Sequence, residues 1–581
     1  RNILRAINPL FMDGLRAELQ AAGSNQAKLK ALYDKLPTLK VMDPACGCGN
    51  FLVIAYRELR LLENELIDKL FSKGGQSKGL LDIGTLSRIT VDQFYGLEID
   101  ASAAHIAQVA LWITDHQLNL ITAERFGNTR PSIPLVKSAH IHQCNALRTD
   151  WAEVLAPGEC SFIVGNPPFV GAKFQNDEQR ADAAQVMGAI PNAGLLDYVC
   201  CWHVKAAAYM QANAAVKTAL VSTNSICQGE QVGVLWPHML AQGMHLQFAH
   251  RTFQWSNEGR GVAAVHCIIV GYGRQPATQP VVFDYSANIK AAQGERLLVS
   301  RINPYLVDAP DVVITRRSMP LCDVPEISFG NQPIDGGFFI LQPEEASDLT
   351  RRYMALRPYV RRFLGADEFI NGGDRYCLWL KDAPPALLRE IPEVKQRVAQ
   401  VRKFRLESSR KATNELAVTP AQFAFISHKE TSYLIVPSVS SQRRIFIPIG
   451  LSEPSVIVSN LCLAVYGAEK YHFGMLCSTM HNAWMRTVAG RLESRYRYSN
   501  TIVYNNYPWP QAPTDKQQQA IETAAQAVLD ARQLEFDRCA QAGQHCSLAL
   551  LYNPDTMPAE LVKAHAALDK AVDAAYGYKG G

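Results

Sequence analysis

The chain has 581 residues, more than one hydrophobic core usually serves, so its length predicts several domains. Its 48% hydrophobic and 19% charged residues exclude a disordered chain, and no apolar stretch approaches the roughly 18 residues that a membrane-spanning helix needs. The net charge of +4 conceals a basic block at 351–500, with 23 Lys and Arg against 12 Asp and Glu, which indicates either a surface that contacts a polyanion or a solvated basic face.

The chain begins with the residues RNIL, without the basic-then-apolar pattern of a secretory signal. Its 14 cysteines are spread singly, apart from Cys46/Cys48 and Cys200/Cys201, which is typical of reduced intracellular thiols. Since the first residue is arginine rather than methionine, the sequence is interpreted as a fragment or a processed chain. A further domain upstream of residue 1 is therefore kept as an alternative. Helical periodicity predicts a helical lead-in at residues 1–37.

Residues 38–275 are predicted to form one α/β domain with a doubly wound sheet. Short apolar strands alternate with amphipathic helices through this range, and such alternation produces a parallel sheet with helices on both faces. The predicted strands are 38–42, 93–97, 162–164, 218–222 and 262–270, and the predicted helices are 51–70, 101–119 and 197–212.

The regular alternation is lost beyond the Gly- and Pro-containing segment 271–280. Residues 281–510 contain short β-rich runs, such as 433–436 and 444–449, and most of the basic surplus, so they are predicted to form a mixed α/β recognition domain. Residues 511–581 return to helical periodicity at 514–536 and 558–576, which predicts a helical C-terminal segment.

The segment DPACGCGNF, residues 43–51, lies between a predicted strand and a predicted helix. Gly47 and Gly49 allow a tight turn and let a ligand approach the backbone. The spacing differs from the dinucleotide GxGxxG and from the phosphate loop, and no lysine is present, so S-adenosylmethionine is favoured over nicotinamide and ATP. An ordinary strand-to-helix turn is the alternative. The predicted cofactor-binding residues are Asp43, Ala45, Gly47, Gly49, Asn50, Phe51, Glu98, Ile99 and Asn145.

Three of these side chains have assigned roles. Asp43, the acid before the turn, suits the positively charged amino end of S-adenosylmethionine. Glu98, at a strand end, would accept both ribose hydroxyls. Asn145, in HQCNAL, would meet the adenine amino group, with a turn-forming asparagine as the alternative. Cys46 and Cys48 supply only two of the four ligands that zinc needs, so no metal site is predicted.

The run IVGNPPF, residues 163–169, ends an apolar strand with an amide, two prolines and an aromatic ring. Consecutive prolines fix the backbone and remove two N–H donors, which leaves a rigid acceptor site. An exocyclic amine would donate to the Asn166 side-chain oxygen and the Pro167 carbonyl, while Phe169 stacks on the base. A simple Asn-Pro turn is the alternative. Asn166, Pro167, Pro168 and Phe169 are predicted to be the catalytic residues.

An enzyme that modifies a base in duplex DNA must extrude it, which requires a firm grip on the backbone. The short clusters Arg361/Arg362 and Arg402/Lys403/Arg405 fit that demand, with surface ion pairs as the alternative. Phe253 and Trp255 are candidates for the border of an extruded base, with a core role as the alternative. The predicted DNA-binding residues are Arg443, Arg444, Arg491, Glu493, Arg495 and Arg497.

Glu493 and Arg495 are two residues apart, so both point to the same face if segment 490–500 is extended. In the major groove, Glu accepts from cytosine N4 and Arg binds guanine O6 and N7. The two residues would then read one C·G pair, and an intramolecular ion pair is the alternative.

The chain resembles S-adenosylmethionine-dependent DNA amino-methyltransferases. NPPF resembles the tetrad of N6-adenine enzymes, and the order of cofactor loop, tetrad and recognition region resembles their gamma arrangement. DPACGCGNFLVIAYRELR, TFQWSNEGRGVAAVHCIIVG and RYRYSNTIVYNNYPWP are similar to the MmeI-like family of type IIL restriction-modification proteins. The resemblance implies a Rossmann-like methyltransferase domain, site-specific methylation of adenine N6 in double-stranded DNA, and a cytoplasmic location in a bacterium or archaeon.

In that family a PD-(D/E)xK nuclease precedes the methyltransferase. This sequence contains no such centre, so cleavage is not predicted. The resemblance implies that any nuclease domain of the natural chain precedes residue 1. Asn145, where many relatives have an acid, and the long gap between Asp43 and Glu98 depart from the pattern. Two alternatives stay open: a methyltransferase that acts on RNA or protein glutamine, and a catalytically inactive DNA-binding specificity subunit.

Overall fold

The computed structural model describes residues 2–71, 86–126, 138–255, 265–492 and 494–578. The chain forms two compact units, Arg1–Thr315 and Arg316–Gly581. Within the described ranges, no helix is long and apolar enough to cross a membrane.

The first unit is built on one large mixed sheet. Its strands are β1 (Val41–Asp43), β2 (Phe94–Glu98), β3 (His140–Gln143), β4 (Phe162–Gly165), β5 (Lys217–Thr223), β6 (His245–Trp255), β7 (Val265–Gly273), β8 (Val281–Asp284) and β9 (Glu295–Leu298). They follow the order β3-β2-β1-β4-β5-β7-β6-β8-β9, and the first five in that order are parallel. The order reverses between β1 and β4, and ligands of open α/β sheets bind at the carboxyl ends of strands at such a point.

Nine α-helices of the described first unit surround this sheet. They are α1 (Asn2–Ile7), α2 (Asp13–Ala22), α3 (Gln26–Lys35), α4 (Asn50–Phe71), α5 (Ala101–Phe126), α6 (Trp151–Val154), α7 (Asp177–Met187), α8 (Cys200–Tyr209) and α9 (Val232–Ala241). Helix α4 buries an apolar face against the sheet, where the Tyr56 and Phe94 rings meet edge to face at 5.3 Å. The predicted doubly wound α/β domain is confirmed.

Three features of the first unit differ from the sequence prediction. Strand β6 and helix α7 were not predicted, because polar residues interrupt the apolar pattern of both. Strands β8 and β9 fall in the range assigned to the recognition domain, yet β8 pairs in parallel with β6 and buries Val282 in the first sheet. The first unit therefore extends to Thr315, well beyond the expected boundary at 275.

The second unit has three small sheets. Their strands are β10 (Ile327–Phe329), β11 (Ile340–Leu341), β12 (Val360–Leu364), β13 (Tyr376–Leu378), β14 (Tyr433–Pro437), β15 (Val439–Ser440), β16 (Gly450–Ser452), β17 (Val456–Val458), β18 (Cys462–Tyr466), β19 (Gly490–Leu492) and β20 (Arg495–Arg497). The sheet orders are β10-β18-β14-β16, β11-β13-β12-β17 and β15-β20-β19. The predicted mixed α/β character is confirmed.

Helices complete the second unit. They are α10 (Pro343–Arg352), α11 (Ala366–Asn371), α12 (Pro385–Glu390), α13 (Pro392–Leu406), α14 (Lys411–Glu415), α15 (Lys470–Cys477), α16 (Thr479–Val488), α17 (Asp515–Gln541), α18 (Leu548–Leu551) and α19 (Ala559–Ala575). A capping box of Thr514 and Gln517 begins α17. Helix α17 packs closely on α15, where a Cβ on Gly474 would lie 2.8 Å from Ile521. The predicted helical C-terminal segment is confirmed.

The strand predicted at 444–449 is wrong. Arg486 of α16 donates to the carbonyls of Arg444 and Ile445, and the Asn482 side chain accepts from the Ile447 backbone at 2.9 Å. Side chains of a neighbouring helix thus satisfy the backbone groups that a partner strand would have paired.

Candidate functional site

Asp43 ends β1, at the carboxyl edge of the sheet where the strand order reverses. Its residue exposure is 1%, and Oδ1 accepts from the Ala45 backbone at 3.0 Å, whereas Oδ2 has no partner among the described residues. Burial, opposed by the Ala45 N–H, raises the pKa of Asp43 to about 7. A buried carboxylate oxygen without a partner favours a ligand that donates a hydrogen bond or carries positive charge.

The glycine turn after β1 has the geometry that a close ligand approach requires. Gly47 and Gly49 have φ values of +52° and +80°, which L side chains rarely adopt. A Cβ on Gly49 would lie 3.0 Å from the Ala107 Cβ of α5, so this glycine packs the turn against the helix. A Cβ on Gly47 would have no atom within 4 Å, which places Gly47 beside open space.

Glu98 ends β2 and reaches the same turn. Its Oε2 accepts from the Gly47 backbone at 2.8 Å, and its Oε1 accepts from the Asp100 backbone at 2.9 Å. Each oxygen keeps a lone pair for a further donor, such as a ligand hydroxyl. Ile99, the next residue, is exposed and offers an apolar surface beside this carboxylate. The fold thus brings the predicted acids of β1 and β2 to one turn.

Asn145 follows β3 and is engaged within the protein. Its Oδ1 accepts from the Leu147 backbone at 2.9 Å, and its Nδ2 donates to Asp182 at 3.0 Å. Buried Asp182, on α7, also accepts from the Arg148 guanidinium at 2.6 Å and the Tyr198 hydroxyl at 3.0 Å. Although burial acts to raise it, these hydrogen bonds hold the pKa of Asp182 below its usual value. The turn-forming alternative for Asn145 is observed, and one amide N–H remains for a ligand.

Sequence reasoning missed Asp182. No local pattern marks it, since it lies in a polar helix 37 residues after its partner Asn145. The sequence does not distinguish it, because the same helix carries several other acidic and polar residues.

The NPPF tetrad follows β4, next to Asp43. Strands β1 and β4 are parallel neighbours, and a Cβ on Gly165 would lie 2.6 Å from Asp43 Oδ1. The Asn166 side chain is exposed and has no hydrogen-bond partner in the described part of the chain, whereas Pro167 is buried. Phe169 is half-buried against the core. An unengaged amide and a buried acid therefore occupy adjacent strand ends.

The two aromatic candidates after β5 lie in different surroundings. Phe253 is fully buried, and the Arg5 guanidinium stacks on its ring at 4.3 Å. The core alternative is observed for Phe253, because its side chain is packed in the core of the first unit and is not exposed to a base. Trp255 is partly buried against the same core, and the following segment 256–264 lies outside the described residues.

Several basic residues of the 351–500 block have structural roles. Arg361 pairs with Glu430 at 3.1 Å, and Arg362 pairs with Asp374 at 2.7 Å, so the ion-pair alternative is observed for both. Arg405 is 0% exposed and donates all five of its N–H groups to backbone carbonyls. Its expected role in phosphate contact is wrong, because its donors are consumed inside the protein.

The predicted DNA-binding residues differ in their burial and in their contacts within the protein. Arg443 forms an exposed ion pair with Asp555, and burial lowers the pKa of half-buried Arg444. Arg491 lies 4.0 Å over the Tyr496 ring and donates to the Ser494 carbonyl at 3.1 Å. Arg443 and Arg491 thus make contacts within the protein.

Arg495 and Arg497 are exposed on either side of buried Tyr496 in β20, so strand alternation puts them on one face. Arg495 pairs across an antiparallel hairpin with Leu492. Glu493 lies outside the described residues. The same-face interpretation of Glu493 and Arg495 assumed that segment 490–500 is one extended strand, whereas β19 and β20 pair as two antiparallel strands.

Of the described residues, no group of three His, Cys, Asp or Glu is arranged to hold a metal ion. Cys46 is buried below the glycine turn, where a Cβ on Gly96 would lie 2.8 Å from its Sγ, and Cys48 is exposed. Cys46 therefore acts as a small packing residue between β2 and the turn.

Three family models match the chain in succession. Residues 19–284 match the MmeI DNA-methyltransferase domain, residues 308–511 match the MmeI target recognition domain, and residues 513–581 match the MmeI C-terminal domain. The first match includes β8, in agreement with the pairing of that strand into the first sheet.

Among curated proteins, DNA methyltransferase A of Bacillus subtilis (strain 168) is 39% identical over 584 residues, which cover 100% of this chain and 63% of that protein. The chain thus spans less than two thirds of that relative. A solved structure of the type IIL restriction-modification enzyme MmeI in complex with DNA is 49% identical, with a TM-score of 0.88, and the match covers 100% of this chain and 76% of that one. A putative type II restriction enzyme and methyltransferase of Methanocaldococcus jannaschii is 30% identical over 107 residues, which cover 18% of this chain and 9% of that protein.

Proposed function

Because the chain belongs to the MmeI family of restriction-modification proteins, we propose that it methylates duplex DNA in a specific sequence, on the N6 amine of adenine. The observation that carries the proposal is the adjacency of Asp43 and Asn166 at the ends of parallel neighbours β1 and β4. One side chain suits a cationic cofactor and the other suits an amine, and transfer between the two requires that they be neighbours.

S-adenosylmethionine supplies a methyl group on a positively charged sulfonium. The residues present fit it: Asp43 offers a buried, unpartnered carboxylate oxygen, Gly47 borders open space, and Glu98 keeps lone pairs for hydroxyl groups. Ile99 offers an apolar face to a flat base, and Asn145 offers one N–H. The residues proposed to hold the cofactor are Asp43, Ala45, Gly47, Gly49, Asn50, Phe51, Glu98, Ile99 and Asn145.

The tetrad holds the target amine. The Asn166 side-chain oxygen and the Pro167 carbonyl accept its two N–H groups, which directs the nitrogen lone pair away from them. Pro168 keeps this backbone rigid, and Phe169 supports the base by stacking. Positioning of the amine is the main contribution of these residues, because a direct displacement needs no covalent intermediate with the protein.

Residues 316–510 supply DNA contacts in this proposal. Arg495 and Arg497 are the best placed of the predicted readers, since both are exposed on one face of β20. Because β19 and β20 form a hairpin, the joint reading of one C·G pair by Glu493 and Arg495 is not part of this proposal. Glu493→Lys together with Arg495→Asp tests it: a change of the preferred pair to G·C, at a discrimination of about 1–3 kcal/mol, would support the joint reading. An unaltered methylation motif with retained activity would show that these residues read no base.

Methylome sequencing of cells that express the chain tests the function directly. The wild type is expected to methylate adenine at N6 in one duplex motif. Asn166→Ala is expected to abolish methylation and to leave S-adenosylmethionine affinity, measured by calorimetry, nearly unchanged, whereas Asp43→Ala is expected to weaken that affinity. Equal loss of affinity in both variants would contradict the division of roles between Asp43 and Asn166.

The alternatives give different results in the same measurements. A chain that binds S-adenosylmethionine but modifies RNA or protein glutamine leaves no DNA motif methylated. An inactive specificity subunit binds DNA, shows no S-adenosylmethionine affinity in calorimetry and leaves no DNA motif methylated. Cleavage forms no part of the proposal, and the cytoplasmic location and an upstream nuclease domain remain predictions.

A further inference from the structure

Phe174 is 84% exposed, although it lies only five residues beyond Phe169 of the tetrad. A Cβ on Gly171, two residues beyond Phe169, would lie 3.4 Å from the Phe174 ring, so the ring lies near the proposed base site. Lys173, beside it, is exposed as well. The helical turn Ala172–Phe174 therefore presents an aromatic ring and a cation next to the tetrad.

The backbone that carries this ring is firmly held. The Val170 carbonyl accepts from the Tyr198 backbone at 2.8 Å, and the Ala172 N–H donates to Asp197 Oδ1 at 3.3 Å. The buried Gln175 amide donates to the Leu196 carbonyl at 3.2 Å. The exposure of Phe174 is therefore a property of an ordered segment.

Asp197 is itself fixed from two further elements. Thr223, at the end of β5, donates to Oδ2 at 2.9 Å, and Gln231 donates to Oδ1 at 3.0 Å. On the other side, Asn176 and Gln179 form a capping box that begins α7. Anchors on both sides of Phe174 thus set the direction in which the chain turns.

Gly171 makes room for the ring. The Phe174 N–H donates to the Gly171 carbonyl at 2.8 Å, and a Cβ on Gly171 would lie 3.4 Å from the Phe174 ring. The turn therefore projects the ring outward from its own backbone. A large apolar side chain held in this manner gains stability only when a partner covers it.

We propose that Phe174 enters the DNA duplex beside the target adenine and stacks in the space that the extruded base leaves. The inference rests on the proposed function. Extrusion costs the stacking and pairing energy of one base, and an inserted ring restores part of that stacking. Lys173, the exposed neighbour of Phe174 in sequence, would then contact a phosphate of the same duplex.

The test uses the full chain and a duplex with the motif that the wild type methylates, in which 2-aminopurine replaces the target adenine. Its fluorescence rises when the base leaves the stack. With Phe174→Ala, we expect a smaller rise and a methylation rate on the unmodified duplex lower by about ten-fold, whereas Phe174→Trp retains both. Ile113→Ala, which truncates another exposed apolar side chain in the same unit, is the matched control and is expected to behave as the wild type.

Two further readouts separate insertion from a structural role. An abasic site opposite the target adenine removes the pairing cost, so it is expected to restore most of the Phe174→Ala rate. The unfolding temperature and the S-adenosylmethionine affinity are expected to stay at wild-type values, because the ring is exposed. A wild-type rate for Phe174→Ala, or an equal loss on both duplexes, overturns the inference alone. A wild-type chain that methylates no duplex overturns the proposed function and the inference with it.

Discussion

Replacing Arg405 with lysine is expected to destabilise the second unit, although it keeps a positive charge at a position that the sequence assigned to DNA contact. The guanidinium is 0% exposed, at the end of α13. Its hydrogen bonds reach five carbonyls at 2.7–3.0 Å, on Pro333, Ile334, Leu416, Thr419 and Gln422. Burial lowers the pKa of Arg405.

The magnitude follows from the count of donors. Lysine has three N–H groups, so Arg405→Lys leaves at least two of the five carbonyls without a partner. Each buried polar group left unsatisfied costs about 1–3 kcal/mol, so the opening free energy of this region is expected to fall by about 2–6 kcal/mol.

Hydrogen exchange of the backbone amides at 416–423, followed by mass spectrometry, measures that opening free energy. Lys403→Ala is the control on the same helix, since the Lys403 side chain is 76% exposed and lies 3.8 Å from Glu407. An exposed pair of this kind contributes at most about 1 kcal/mol. If the hydrogen-exchange rates of Arg405→Lys equal those of Lys403→Ala while its DNA affinity falls, the structural role of Arg405 is refuted. Arg405 would then contact a DNA phosphate.

Changes at three residues of the first unit have further expected outcomes. S-adenosylmethionine affinity is expected to fall as the pH drops below about 7, where the raised pKa of Asp43 leaves the carboxyl neutral, and Asp43→Asn is expected to bind weakly with no such pH dependence. The raised pKa also affects the stability of the cofactor-free protein. Because the folded Asp43 carboxyl keeps its proton to a higher pH than the unfolded one, stability falls as the pH rises from the unfolded pKa to about 7. Asp43→Asn, which cannot ionise, is therefore expected to melt at a higher temperature than the wild type at pH 8. Gly165→Ala is expected to weaken cofactor binding, since its Cβ would lie 2.6 Å from Asp43 Oδ1. Asn145→Asp places a second carboxylate 3.0 Å from Asp182 and is expected to lower stability and cofactor affinity, and adding Asp182→Asn is expected to restore both.

Calorimetry across pH 6–9 and thermal unfolding check all three. Affinity that is flat with pH in the wild type contradicts the ionised role of Asp43. If Gly165→Ala binds S-adenosylmethionine as tightly as the wild type, cofactor binding does not depend on the position of the Asp43 carboxylate. If Asn145→Asp with Asp182→Asn has the same low stability and cofactor affinity as Asn145→Asp alone, the contact with Asp182 does not position residue 145.

Local sequence patterns predict the parallel core and place the two motifs at strand ends. Alternating apolar strands and amphipathic helices are local patterns, and strands β2 and β4 followed from them closely, whereas β1 begins three residues later than predicted. Because parallel strands place their carboxyl ends at one edge, the residues after them were bound to meet there. Positive φ at Gly47 and Gly49 is likewise a local demand that the sequence states directly.

Which polar and aromatic side chains are buried and which are exposed depends on the tertiary structure. Arg405 and Arg495 look alike in a basic block, yet one gives all its donors to carbonyls and the other is exposed. Phe253 and Phe174 are equally apolar, yet one is in the core and the other is in solvent. Asp182 became visible only as the partner of Asn145. Burial and hydrogen-bond pairing depend on segments far apart in the chain, whereas composition and periodicity record only neighbouring residues. The exposure and the partners of these side chains therefore follow only from the folded protein.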